Sequence, residues 1–214
     1  MSFIPDPAVL AAFTLAGIIL TLTPGPDMAL FLSRALRQGR AAGFAAMAGA
    51  NTGLVIHTLL AAFGLSALLA ASATAFLVVK MIGAAYLLWL AVQTIRHGSA
   101  LTLDRKSGGR NASLASSWAT GIGINLLNPK IVLFFVTFLP QFVDAHDPNV
   151  RGQLVFLGLY FVVLSLPFTV AMIATAEKFS AALKRSPRLM RIMDWTFAGI
   201  IGGFALRIAT AASR

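Results

Sequence analysis

No cysteine occurs in this chain, and acid is scarce: 7 Asp and Glu stand against 17 Lys and Arg in 214 residues. The first absence excludes disulfides, thiol chemistry and CxxC metal sites. Charged residues of both signs make up only 11%, where an ordinary soluble domain carries roughly 25%. A surface solvated mainly by water is therefore excluded. Only three histidines are present, at 57, 97 and 146, too far apart in sequence to form a metal-ligand spacing. Nucleophile elbow, HExxH and phosphate loop are all missing. The sequence nominates no catalytic residue, no cofactor and no metal.

What the chain has in abundance is apolar run. The charge-free stretches 7–26, 41–79, 111–129 and 152–176 each approach or exceed the ~20 residues that cross ~30 Å of hydrocarbon. They are continuous rather than alternating, which excludes a transmembrane β-barrel. Segment 41–79 is long enough for two crossings and loses bulk at LSALLAASAT. With the patterns around 81–97 and 193–210, the reading is an all-α integral membrane protein of six helices, near 8–33, 43–66, 74–97, 113–139, 152–176 and 193–211. The amino terminus MSFIPDP has no positive region before its apolar segment, so helix 1 is expected to remain rather than be cleaved as a signal peptide.

The net charge of +10 would point to nucleic acid in a soluble protein, but here the charges mark topology. Arg34, Arg37 and Arg40 follow helix 1; Arg96, Arg105, Lys106 and Arg110 follow helix 3; Lys178, Lys184, Arg185, Arg188 and Arg191 follow helix 5. The opposite face carries Asp6, Asp144 and Asp147 with Arg151 and Arg214. By the positive-inside rule loops 1, 3 and 5 are cytoplasmic and both termini outside. The basic clusters also suit contacts with anionic membrane lipids.

The stretch Pro26-Asp27-Met28-Ala29-Leu30-Phe31 lies over Pro129-Lys130-Ile131-Val132-Leu133-Phe134, each in the first helix of a three-helix group. The chain reads as two three-helix repeats, 1–97 and 113–214, inverted with respect to each other and joined by the polar loop 98–112. Inverted repeats with broken first helices are a signature of secondary transporters, whose site lies between the halves. Helices 1 and 4 break at Thr23, Pro24, Gly25 and Pro26 and at Pro129. A proline lacks its own N–H and frees the carbonyl four residues back, so Leu20, Leu22 and Asn125 are expected to hold spare acceptors, tolerated at membrane depth where protein, water or ligand satisfies them. Beyond each break a half-helix begins, and its N–H groups favour an anion. Carbonyls for an ammonium and a helix start for a carboxylate together suit an amino acid.

Asp27 and Lys130 are the sharpest ionisable residues, since a charge at membrane depth costs at least ~2.5 kcal/mol and usually faces an interior site. The competing readings are a carboxylate that merely caps a half-helix and a lysine that snorkels. Asn51, Asn125 and Asn128 are candidate cavity-lining residues, though membrane amides also bond helices together for about 0.6 kcal/mol each. His57 reads as a histidine satisfied by a neighbouring helix rather than a proton relay. Gly49 with Gly53, and Gly199 with Gly203, have GxxxG spacing, which serves packing inside the chain or, as the bolder use, a homodimer. Segment 178–194 reads as a linker lying on the inner leaflet.

LTPGPDMALFLSRALRQGRAAGFAAMAGANTG, VVKMIGAAYLLWLA and NLLNPKIVLFFVTFLPQF together resemble the LysE/RhtB family of bacterial amino-acid exporters, in order and spacing over nearly the whole chain. The resemblance implies export of amino acids or close derivatives across the bacterial inner membrane, driven by protons, and it places Pro24, Gly25, Pro26, Asp27, Asn128, Pro129 and Lys130 at motif positions. Two rivals remain. A cation or metal exporter on the same plan should need more than one intramembrane carboxylate or a histidine cluster; a non-transporting scaffold need not contain two matched breaks.

Overall fold

Prolines and glycines at a few positions divide the apolar sequence into helices. The computed structural model describes residues 4–97, 113–143 and 147–211; the loop 98–112 lies outside them. Helix α1 (Pro7–Leu22) is capped by Asp6, whose side chain accepts from Ala8 N at 2.9 Å. Its end at Thr23 and the extended Gly25 are followed by α2 (Pro26–Gln38), which Pro26 opens at a position where the missing N–H costs nothing. The two axes meet at 50°. Gly39, at φ 91, turns the chain into α3 (Arg40–Leu60). A π-helical turn, Ala61–Leu65, leads on into α4 (Ser66–Ala71), and extended Ser72 separates that from α5 (Ala73–His97).

The second half breaks its first helix in the same way. Helix α6 (Leu114–Leu127) ends at extended Asn128, and α7 (Pro129–Leu133) starts with a proline at its first position. It runs on through a π-helical stretch, Phe134–Phe138, and a 3₁₀ turn, Leu139–Phe142, at 53° to α6. Then come α8 (Val150–Ala174), α9 (Ala176–Arg185) and α10 (Pro187–Ala211). The described residues are helical with no strand among them.

Two single helices, Arg40–Leu65 and Val150–Ala174, are long and apolar enough to cross a bilayer, and each bent pair meets the same measure as one span. A count of six rests in addition on α5 and α10, which pack against each other. Most span ends fall within about three residues of the sequence reading, but two differ by more. The first helix runs to Gln38 rather than 33, because Arg34 and Arg37 do not stop a helix leaving hydrocarbon and Gly39 does. The last begins at Pro187 rather than 193, again with proline at the first position. Segment 178–194 is not a plain linker: most of it belongs to α9 and α10, and α9 buries Ser180 and Leu183.

Packing is organised around the breaks. One apolar cluster joins Phe13 and Leu20 of α1, Leu54 of α3, Phe134, Phe135 and Phe138 beyond α7, and Leu157 and Phe161 of α8. A second joins Met28, Phe31 and Leu32 of α2, Ala46 and Ala50 of α3, Met172 and Ile173 of α8, and Leu183 of α9. Along α3 one cluster ends at Ala50 and the other begins at Leu54; along α8 the same gap falls between Phe161 and Met172. The polar residues of the molecule's centre lie in that gap. Helices α3 and α6 cross there in close contact, where a Cβ on Gly49 would fall on the Trp118 carbonyl and one on Gly121 on the Ala46 carbonyl. The Gly49 and Gly53 pair therefore serves packing within the chain, whereas no described residue lies within 4 Å of a Cβ built on Gly199 or Gly203.

Candidate functional site

Between the two apolar clusters is a cavity lined by residues of α1, α2, α3, α6, α7 and α8, among them Asp27, Asn51, Asn125 and Lys130. It offers about 60 Å³ to the centres of water-sized molecules, room for a few waters.

Asp27 is the second residue of α2 and stands in its first turn, where the helix dipole favours a carboxylate. Its Oδ2 accepts from Asn125 Nδ2 at 2.9 Å and from Asn128 Nδ2 at 3.0 Å. The two amides reach across from the end of α6 and the break itself, so one carboxylate oxygen joins the broken helix of one half to that of the other. Both asparagines are 1% exposed, and the carboxylate fixes their orientation because it can only accept. The other oxygen, Asp27 Oδ1, is buried and finds no hydrogen-bond partner among the described residues. That atom is an acceptor without a donor, on a residue that lines the cavity.

Asn128 has a second task. Its Oδ1 accepts from Lys130 N at 3.1 Å and so caps α7. Asn128→Ala loses both the cap and the bond to Asp27, while Asn128→Ser keeps a capping oxygen. The alanine variant should melt lower than the serine variant by about 2–4 °C, which corresponds to a cap worth ~1 kcal/mol. Equal melting temperatures in a thermal shift assay would remove the cap from the account.

Two of the three carbonyls expected to be free, those of Leu20 and Asn125, are taken by the protein's own lysine and a histidine ring. Lys130 Nζ donates to Leu20 O at 3.1 Å and to Thr23 O at 2.9 Å. Leu20 is the carbonyl expected to be freed by Pro24; Thr23 replaces Leu22, because α1 has already ended when Pro26 opens α2. Asn125 O accepts from Asn128 N at 3.1 Å and lies 3.4 Å from His57 Nε2, which can only be the donor. His57 stacks on Phe135 with ring centroids 5.4 Å apart. It is held by a neighbouring helix, as the sequence suggests. The expectation of carbonyls open to a ligand's ammonium is thus corrected at Leu20, where the ammonium belongs to Lys130, and at Asn125, which His57 and Asn128 N take.

The remaining sequence-nominated residues fall around this core. Thr23 and Pro24 are buried, Gly25 and Asn51 half-buried, and Pro26 and Pro129 exposed. Gly53 makes room for Asn125, whose side chain a Cβ would strike. Sequence reasoning missed the contribution of α8: Phe161, Ser165, Thr169 and Met172 line the cavity. Ser165 Oγ and Thr169 Oγ1 donate to carbonyls of their own helix at 2.9 and 3.0 Å, so they offer the cavity lone pairs. Their only sequence signal is a pair of hydroxyls four apart around Pro167. Among the described residues no three His, Cys, Asp or Glu side chains group as metal ligands.

Residues 18–212 match the family model described as LysE type translocator. The chain is 34% identical over 209 residues to an "Uncharacterized membrane protein" of Vibrio cholerae, covering 96% of this chain and 98% of the relative. It is 30% identical to the "Homoserine/homoserine lactone efflux protein" of Salmonella typhimurium, over 88% of this chain and 90% of that one. A "Leucine efflux protein" of Klebsiella pneumoniae is 28% identical over 94% of both chains. No solved structure matches.

Proposed function

The chain belongs to the LysE-type translocator family, and from that premise we propose that it exports amino acids or close derivatives from the bacterial cytoplasm, across the inner membrane, by proton antiport. The observation that carries the reading is the half-satisfied Asp27 carboxylate on the cavity wall, held by Asn125 and Asn128 with Oδ1 unpartnered. A proton or a cargo ammonium is the group that this oxygen lacks, and the two exclude each other. That exclusion is the chemical basis of an exchange. Relatives named for homoserine and leucine efflux support the cargo class.

The architecture is taken as six spans in two inverted halves, 1–97 and 113–214, with 98–112 as the cytoplasmic linker, loops 1, 3 and 5 inside and both termini outside. The matched bends of 50° and 53° at Pro-led half-helices support the inverted pair. A free amino acid needs more than the room of a few waters, so cargo enters when the halves part, and alternating access follows. The cargo carboxylate meets the remaining N–H of Lys130 and the first turn of α2. Each charge moved through the field is worth ~2.3 kcal/mol per 100 mV, so one proton inward can drive a neutral zwitterion outward.

Coupling is tested with a pH dye trapped inside proteoliposomes. With an outward-acid gradient, vesicles loaded with cargo should acidify faster than cargo-free vesicles holding the same protein. Identical acidification of the two would contradict antiport.

A further inference from the structure

Lys130 occupies a position that needs an explanation of its own, because its ammonium bonds to backbone rather than to a carboxylate. The end of α1 at the break has three properties of a cation site. Its last carbonyls lack helical N–H partners; the helix dipole leaves the same end negative; and the backbone is unwound beside the cavity, the arrangement in which freed carbonyls coordinate a monovalent ion. Two of these oxygens, Leu20 O and Thr23 O, lie 3.1 and 2.9 Å from Nζ. Gly25 closes the third side without a side chain, and a Cβ there would stand 3.2 Å from Nζ. The cation arrives from α7 in the opposite half, on a stem attached to the second break.

We infer that the broken C-terminal end of α1 is a binding site for a small monovalent cation, and that Lys130 Nζ is its built-in occupant. A tethered ammonium makes the site independent of any free cation, and it fastens α1 to α7 across the cavity. The inference stands on this geometry whatever the cargo proves to be. Its consequence is that removing the tether opens the site to an ion from solution: ammonium or methylammonium first, because they reproduce the N–H donors, with sodium as the purely ionic alternative. Choline is too large to enter and serves as the ionic-strength control.

The chain has no cysteine, so Lys130→Cys would carry the molecule's single thiol. The experiment compares purified wild type, Lys130→Ala and Lys130→Cys by thermal melting in ammonium chloride, sodium chloride and choline chloride at equal ionic strength. Both variants should melt lower than wild type in choline and gain about 2–4 °C, saturably, in ammonium; wild type should not respond. Aminoethylating Lys130→Cys with bromoethylamine rebuilds a lysine-length ammonium and should restore the wild-type melting temperature without free cation, whereas capping with iodoacetamide should not. If ammonium and choline give the same melting temperatures for both variants, or if the aminoethylated and capped thiols are equally stable, the site assignment is wrong. Should Lys130→Ala yield folded protein only when purified in ammonium, that too supports it; failure in ammonium and choline alike, with Lys130→Cys unresponsive, overturns it.

Discussion

Asp27→Asn protein should fold, sit in the membrane and export nothing above background. The amide keeps an oxygen for Asn125 Nδ2 and Asn128 Nδ2, the donors that hold the native carboxylate at 2.9 and 3.0 Å, so the link between the two broken helices survives and the melting temperature should move little. What is lost is the charge. A hydrogen bond to a charged group is worth about 1.5–3 kcal/mol, so cargo affinity should fall about ten- to a hundredfold, and an amide cannot exchange a proton for an ammonium at all. Loss of affinity alone would be overcome by loading more cargo. Loss of exchange would not, and efflux at saturating cargo distinguishes the two. Near-normal gradient-driven export by the variant would remove Asp27 from the mechanism.

The second large effect concerns folding. Gly49→Ala and Gly121→Ala should each abolish folded protein, because the added methyl meets the Trp118 carbonyl and the Ala46 carbonyl respectively, and backbone cannot step aside as a flexible side chain can. Overpacking typically costs 1–3 kcal/mol, and a clash of methyl with backbone across a helix crossing stands at about the upper end or beyond. Gly64→Ala and Gly123→Ala are the controls: nothing lies within 4 Å of a Cβ at either position, and alanine gains up to about 1 kcal/mol of helix propensity. The yield of monodisperse protein after detergent extraction reads both pairs. Normal yield of Gly121→Ala would mean that α3 and α6 do not cross as closely as described.

The contrast between those glycines shows what was legible in sequence. The GxxxG spacing at Gly49 and at Gly199 is the same, yet among the described residues only the first pair meets another helix, because spacing says that a close approach is allowed and not which helix approaches. The breaks were legible because proline acts locally: its missing N–H interrupts a helix whatever surrounds it, and both Pro26 and Pro129 open the half-helix that follows. Asp27, Asn125, Asn128 and Lys130 stood out because polar groups are costly in lipid. Their partners did not, since the bonds from Lys130 to Leu20 O and Thr23 O span more than a hundred residues of chain and depend on how the halves dock. Ser165 and Thr169 were hidden for the opposite reason. Hydroxyls that bond to their own helix cost little in an apolar run, so only their spacing around Pro167 sets them apart in the sequence of α8. The charge of segment 178–194 masks a helical pattern that buries Leu183.

The central claim is that this chain moves amino acids outward through the cavity at Asp27. The most direct measurement loads proteoliposomes with all twenty amino acids and follows their loss by mass spectrometry, with and without an imposed proton gradient, for wild type and Asp27→Asn side by side. The account predicts loss of one or a few amino acids, only from wild-type vesicles and only with the gradient. Retention of all twenty by vesicles that hold folded wild-type protein, or equal loss through both proteins, would contradict it.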